Sequence, residues 1–275
     1  MANSAYASGI NLDALMVPVK AATIYTAQEQ SLFLGGQLIP VINVPAGSAS
    51  AQVPVLGSVT ATKLTAEAAP GVDLESVLPA DTKNTIAVDI HAARAVLRDL
   101  GGIDPNELGR VLGNSVAASF DADVIAAMDS LTAKATPTDI GAVDIDDIFE
   151  VVGQIRAAGE MTQLYGVISP TAATELLKSI GDAAYAGGDF QTEALRNGFL
   201  GTIAGVRMFM SHHAENATKM GYVFGQDALR IAMQKNVDIE VQRRAAAVGF
   251  DVVASLHAGV GVVDATRGVK MVDAA

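Results

Sequence analysis

Between Gln30 and Thr62 the chain carries no charged side chain, and before that stretch only Asp13, Lys20 and Glu29 do. Pro40, Pro45 and Pro54, together with Gly35, Gly36, Gly47 and Gly57, forbid a long helix here, while the Val, Ile and Leu between them favour extended backbone. An uncharged extended segment must lie against something. Disorder does not account for it, because disordered segments carry high charge and few β-branched residues. Two arrangements remain: an arm covered by a neighbouring chain, which is the expectation, and a strand of an internal sheet.

The rest of the composition points the same way. Charged residues are 17% of the chain, against about 25% in an ordinary soluble domain, and hydrophobic ones reach 50%. Surface hidden by partner chains accounts for both values. At 275 residues the chain is long enough for one or two domains with a real core. The 18 basic residues against 30 acidic ones leave a net charge of -12, which argues against nonspecific nucleic-acid affinity. With no cysteine, zinc ribbons and disulfide frameworks are excluded. The longest apolar run, VVASLHAGVGVV from Val252, is too short and too glycine-broken to span a bilayer. The first residues lack a basic region before an apolar stretch, so a soluble cytoplasmic product is expected.

Beyond Lys63 the chain turns acidic, with Glu67, Asp73, Glu75, Asp81 and Asp89 around a turn at Ala69-Pro70-Gly71. Extended runs at 53–64 and 74–90 predict a long hairpin, and HAARAVLRDL a short helix ended by Gly101-Gly102. The next helix has the clearest start: Asp104 caps, Pro105 suits the first helical position and Glu107 completes the box. Its stripe of Leu108, Leu112, Val116, Phe120, Val124, Met128 and Leu131 predicts a helix of about 40 Å. Gly109 and Gly113 weaken it by up to ~1 kcal/mol each, so packing must hold it.

After Thr136-Pro137, short helices and strands alternate. Helices are expected from Asp144 to Gly159, over TAATELLKS with Gly181 beyond its end, over QTEALRNG and over QDALRIAMQ. Strands are expected at LYGVIS, GTIAGVRMFMS, GYVF, VDIEVQRRAA, FDVVASLHA and VKMV, with DAAYAGGDF as a loop.

No phosphate-binding loop, nucleophile elbow or His-Glu-x-x-His helix occurs. Gly259-Val-Gly261 lacks a third glycine and a following helix, and reads as a turn between strands. His212-His213 with Glu215 reads as an exposed polar loop rather than a metal site, since adjacent side chains on extended backbone diverge. His91 and His257 stand isolated in the sequence. Arg243-Arg244 shares its strand with Asp238 and Glu240, so local ion pairing is expected there rather than phosphate binding. No catalytic, metal or cofactor residue is expected.

The order of uncharged arm, long hairpin, capped long helix, mixed α/β segment and long late strand resembles the major capsid proteins of tailed bacteriophages. Three stretches carry the likeness: YGVISPTAATELLKS (165–179), GTIAGVRMFMS (201–211), and the block from Gly221 to Asp264. The resemblance implies an α+β fold with an N-terminal arm (1–45) and an extended loop (46–84). It implies a peripheral domain (85–143 and 235–258) holding a spine helix (104–133), and an axial domain (144–234 and 259–275). It further implies pentamers and hexamers closing an icosahedral phage head around double-stranded DNA, with a portal at one vertex and scaffolding or decoration proteins as further partners. Assembly in the host cytoplasm and no membrane partner belong to the same picture. Encapsulin-like nanocompartment shells share that fold and stay open as an alternative, and a mixed α/β enzyme is the third class.

Contacts between subunits are then expected from Phe33, Leu38, Ile39 and Val53, from Lys63, Glu67, Asp73 and Glu75 in the hairpin, and from Glu240, Arg243 and Arg244. Alternation places Asp238, Glu240, Gln242 and Arg244 on one face of the late strand. Asp121, Asp123 and Asp129 on the long helix are expected to line the lumen and repel DNA, with an ordinary solvated face as the alternative.

Overall fold

The computed structural model describes residues 12–56, 61, 81–98, 104–136, 143–182, 199–215, 219–244 and 248–273. The long helix α2 (Pro105–Met128) starts as its sequence dictates: Asp104 adopts extended backbone and accepts a 3.0 Å hydrogen bond from the Asn106 N–H. It ends earlier than its apolar stripe, because Thr132–Thr136 leaves the helix as strand β5.

A helix that the sequence did not announce, α1 (Leu12–Gln30), packs along α2 with Pro18 inside it. The two approach closely because α2 offers glycine at the crossing. A Cβ at Gly109 would stand 2.7 Å from the Val19 carbonyl oxygen, and one at Gly113 2.6 Å from that of Thr23. The glycines that cost α2 its intrinsic propensity are what admit α1.

Both helices cover one face of a four-stranded sheet ordered β1-β10-β11-β4, made of β1 (Val41–Asn43), β4 (Asp89–Arg98), β10 (Leu229–Arg244) and β11 (Gly249–Val262). β11 pairs antiparallel with both β10 and β4, and β1 runs parallel to β10. Two helix expectations fail here. HAARAVLRDL has helix-favouring composition, yet its residues alternate: His91 and Leu97 are buried, whereas Ile90, Ala92, Arg94 and Val96 are exposed. QDALRIAMQ forms a turn and then the start of β10, where Ile231 and Ala232 lie between two paired strands. Cross-strand pairing and burial override propensity in both.

A second sheet, ordered β5-β12-β9-β6-β8-β7, contains β6 (Leu164–Ile168), β7 (Phe199–Ile203), β8 (Val206–Met210), β9 (Lys219–Gly225) and β12 (Gly268–Asp273). The alternation along β6 and β9 separates two cores. Leu164, Ile168 and Val223 join α3 (Ile145–Ala157) and α4 (Pro170–Asp182), while Tyr165, Val167, Tyr222 and Phe224 join the core around α2. GTIAGVRMFMS is two strands, turned at Ala204 and Gly205 with φ of 51° and 81°. Gly181 lies within α4 rather than beyond it.

Two of the expected domain edges fall within continuous strands. Divisions at 234/235 and 258/259 would cut through continuous strands β10 and β11, and β5, expected with the long helix, pairs with β12 of the second sheet. QTEALRNG lies outside the described residues, as does DAAYAGGDF after Asp182.

Candidate functional site

β2 (Ser50–Leu56) and β3 (Asp81–Ala87) pair antiparallel as a separate two-stranded ribbon, the base of the expected hairpin. Val53 is half-buried in it; Lys63, Glu67, Asp73 and Glu75 lie outside the described residues. The ribbon leaves the body of the protein over β11, at Gly259 and Gly261. Those glycines are mid-strand rather than a turn, because a Cβ at Gly259 would meet the Ala87 carbonyl oxygen at 1.8 Å and one at Gly261 the Ile86 side chain at 2.7 Å. A small core of Val44, Ala51, Ile86 and Ala232 fastens the base. Hydrogen bonds from Asn84 Nδ2 to the Val263 carbonyl (2.7 Å) and from Gln234 Nε2 to the Ser48 carbonyl (2.7 Å) add direction.

Phe33, Leu38 and Ile39 are placed differently from the expectation. They are buried at 0%, 5% and 1% exposure within the chain's own core beside α1 and α2. The part of the charge-free stretch from Ser31 to Val44 is therefore largely covered from within, because α1 and the sheet supply an apolar wall that sequence spacing does not display. A neighbouring chain is not needed to bury these three side chains.

The face of the four-stranded sheet away from α2 carries both signs of charge. Val237 and Ile239 point inward, while Asp238, Glu240, Gln242 and Arg244 share the outer row, as alternation predicts. Local ion pairs occupy the row: Lys20 to Asp238 at 2.6 Å, Lys235 to Asp238 at 3.1 Å and to Glu240 at 3.7 Å, and Arg94 to Asp251 at 2.7 Å, with Arg244 at 4.0 Å. Arg243 lies on the other side, its guanidinium 4.9 Å from the Phe250 ring centroid. Ile90 and Val96 add exposed apolar area on β4.

The hydrogen bond from Lys20 is the main cause that holds the Asp238 carboxyl down at about 2, helped by Lys235. A depressed carboxylate contributes stability above its ordinary value of 3.8 and loses it as pH falls from there towards 2. Lys20→Met is expected to raise the Asp238 titration midpoint, followed by carboxyl NMR, and to remove part of the acid-side loss between those values. An unmoved midpoint would show that Lys20 does not hold it.

The three acidic residues of α2 have separate environments. Asp121 is buried: Ser31 Oγ donates to its Oδ1 at 2.5 Å and the Leu32 N–H to its Oδ2 at 2.9 Å, so it ties down the chain leaving α1. At 5% exposure its carboxylate is spent on these two hydrogen bonds within the chain. Asp129 is half-buried and accepts from the Tyr222 hydroxyl at 2.7 Å. Burial, then this carboxylate, pushes the Tyr222 phenol well up. Asp123 alone is open to solvent.

His91, isolated in sequence, meets Ser119 and Asp123 across the sheet–helix interface. The His212 and His213 rings face each other at 3.8 Å, tilted by 39°, and Glu215 accepts from Thr171 Oγ1 at 2.6 Å. A cleft of 520 Å³ between α1, α2 and these histidines is lined by Gln28, Gln37, Asn114 and Asp121, the last already committed to two hydrogen bonds. α2 is the one helix among the described residues long and apolar enough to cross a bilayer, and the sheet occupies its apolar stripe.

No protein-family model matches the sequence, and neither does any curated protein. Solved structures do. The chain is similar to the capsid of cyanophage P-SCSP1u, at 18% identity and a TM-score of 0.69 over 89% of each chain. It is similar to the capsid of a native GTA particle, at 17% identity and 0.66 over 91% of each. A virus-like particle from Pyrococcus furiosus matches at 11% identity and 0.64, over 93% of this chain and 98% of the other. The fold is therefore α+β and that of tailed-phage major capsid proteins, as the resemblance implied.

Proposed function

We propose that a chain with this capsid fold is a shell subunit, assembling as pentamers and hexamers into a phage head around double-stranded DNA. The observation that carries the reading is the extent of the likeness: phage capsid chains match it over nearly nine-tenths of both partners, leaving little of either chain for another function. In this reading the four-stranded sheet with α1 and α2 is the peripheral domain, the six-stranded sheet with α3 and α4 the axial domain, and the hairpin reaches a neighbour.

The physical features fit such a role. Among the described residues the ribbon is fastened at its base. The outer row from Asp238 to Arg244 carries mixed charge, and symmetry-related copies can exchange ion pairs there at about 0 to 1 kcal/mol each, repeated over a closed lattice. A net charge of -12 keeps the shell from adhering to packaged DNA. A portal, a scaffold and assembly in the host cytoplasm belong to the same proposal, and the role is structural rather than catalytic.

Negative-stain microscopy of the purified protein is expected to show closed particles. Replacing residues 57–80 with a short Gly-Ser turn is expected to leave a folded subunit, since β2 and β3 keep their base, but to abolish closure. Normal particles from that variant would remove the hairpin from the mechanism. Deleting the whole charge-free stretch is the wrong test, because it would excise Phe33, Leu38 and Ile39 from the core. The Pyrococcus particle supports a second reading, a nanocompartment shell. Particles holding nuclease-protected DNA favour the first, and particles holding a protein cargo favour the second.

A further inference from the structure

We propose that Glu160 and Arg267 form an acid-sensitive latch that fixes the joint between the two sheets of the subunit. The chain passes directly from strand to strand between the sheets at 226–228, leaving β9 for β10, and at 263–267, leaving β11 for β12. These crossings are bonded to each other, since the Val263 and Asp264 N–H groups both donate to the Ala228 carbonyl, at 2.8 and 3.2 Å. The latch closes over them from a third segment, the loop after α3.

That loop presents one carboxylate. Gly159 turns it with φ of 92°, and Arg156 Nη1 holds the Glu160 and Thr162 carbonyls at 2.8 and 2.9 Å. The Glu160 side chain is 0% exposed. Its Oε1 accepts from the Thr162 N–H at 2.9 Å and from the Thr162 hydroxyl, and its Oε2 accepts from Arg267 Nη1 at 3.2 Å. The side chain lies against the end of β9, where a Cβ at Gly225 would stand 2.6 Å from its Cγ and Cδ. Only glycine leaves room for it there.

Arg267 joins all three segments. Its Nε reaches Asp264 Oδ2 at 3.0 Å, and its Nη1 lies 3.6 Å from Asp227 Oδ2 as well as on Glu160. Arg230 pairs with Asp227 at 2.6 Å. The charged groups facing the joint are therefore Glu160, Asp227 and Asp264 against Arg267 and Arg230, with Arg156 turned to carbonyls. Burial pushes the Glu160 carboxyl up, but the bonds from Thr162 and Arg267 outweigh it and hold it below its ordinary 4.5. The same balance, with Thr266 and Arg267, holds Asp264 below 3.8. Carboxyls held down in the folded state stabilise it above those ordinary values, and the contribution is lost as pH falls through the folded ones. Protonation removes the buried charge that Arg267 pairs with, so acid loosens the joint.

The test is hydrogen–deuterium exchange of the whole chain, corrected for intrinsic rate, stepped from about pH 7 to about pH 3.5. It is read in peptides covering 159–163, 225–230 and 263–268, with 108–125 in α2 as the reference. In the wild type these three peptides are expected to gain exchange on acidification relative to α2. Arg267→Met is expected to open them about tenfold or more at neutral pH, because it leaves a buried acceptor unpaired. Glu160→Gln keeps the size and an acceptor for Thr162, so it keeps the fold, checked by circular dichroism, even if Arg267→Met does not. It is expected to exchange at neutral pH as the wild type does in acid, and to lose the acid step. An acid step unchanged in Glu160→Gln, or opening no greater in the three peptides than in α2, would overturn the proposal. The latch acts within one subunit, so its failure is separate from any failure to form shells.

Discussion

Gly113→Leu is expected to drive α1 off α2 and leave a subunit that unfolds at markedly lower urea concentration. The position is inside a helix, where replacing glycine ordinarily gains up to about 1 kcal/mol. Sterics reverse the sign here. Even the first added carbon would stand 2.6 Å from the Thr23 carbonyl oxygen and 3.2 Å from the Ala27 nitrogen, which are backbone atoms of the facing helix and cannot rotate away. Overpacking of this kind costs about 1–3 kcal/mol, and leucine adds further atoms with nowhere to go. α1 also carries Val19 and Ala27 into the main core and Lys20 to Asp238, so its displacement uncovers apolar surface and breaks an ion pair. Gly153→Ala is the matched control: that glycine is also mid-helix, in α3, but a Cβ there would have nothing within 4 Å, so a gain is expected. Equal effects at the two positions would show that propensity, not helix contact, decides the outcome. Proteolysis within residues 12–30 of Gly113→Leu reports the displacement directly.

Asp121→Lys is expected to prevent stable folding rather than merely to change surface charge. The carboxylate oxygens receive the Ser31 hydroxyl and the Leu32 N–H, and Ser31 Oγ in turn receives the Leu34 N–H at 3.0 Å. Each hydrogen bond to a charged group is worth about 1.5–3 kcal/mol, and lysine would remove both while placing an ammonium in the same buried space. Asp121→Asn keeps the size and is expected to lose less. The pH dependence separates the two contributions. Burial raises the Asp121 carboxyl above its ordinary 3.8, outweighing the hydrogen bonds from Ser31 and Leu32 that lower it. A group raised in the folded state contributes stability below its ordinary value and loses it as pH rises through the folded one. The wild type should therefore lose this contribution on the alkaline side of 3.8, and Asp121→Asn should not. Parallel stability–pH curves for the two proteins would show that Asp121 carries no such linkage, and a folded, assembling Asp121→Lys subunit would return the residue to a surface.

Much of the outline is legible in sequence because it depends on neighbours a few residues apart. The Asp104-Pro105 start of α2, the helix after Asp144, the strand at LYGVIS and the outward row of Asp238, Glu240, Gln242 and Arg244 follow from caps and periodicity, although Glu107 pairs with Arg110 at 3.3 Å where a box was expected. The capsid resemblance, read from element order and three stretches, agrees with the fold of the solved capsids. Residues 91–98 and 226–234 are not legible in this way, for the opposite reason. Their local composition favours helix, and pairing with β11, joined at 231–233 by β1 from far up the chain, makes them strand.

Composition and short-range spacing were enough to require that a long uncharged stretch be covered, that a capped helix run through the core, and that glycine in that helix be offset by a close contact. Backbone geometry converts such patterns into structure directly, because caps and periodicities act within a turn or two of chain. What does the covering depends on the packing of distant segments. Phe33, Leu38 and Ile39 meet the chain's own core, Asp121 meets Ser31 ninety positions away, and His91 meets Ser119 and Asp123 across a sheet–helix interface. Burial and desolvation follow from which remote segments share a volume, and that is a property of the packed chain that no local pattern encodes.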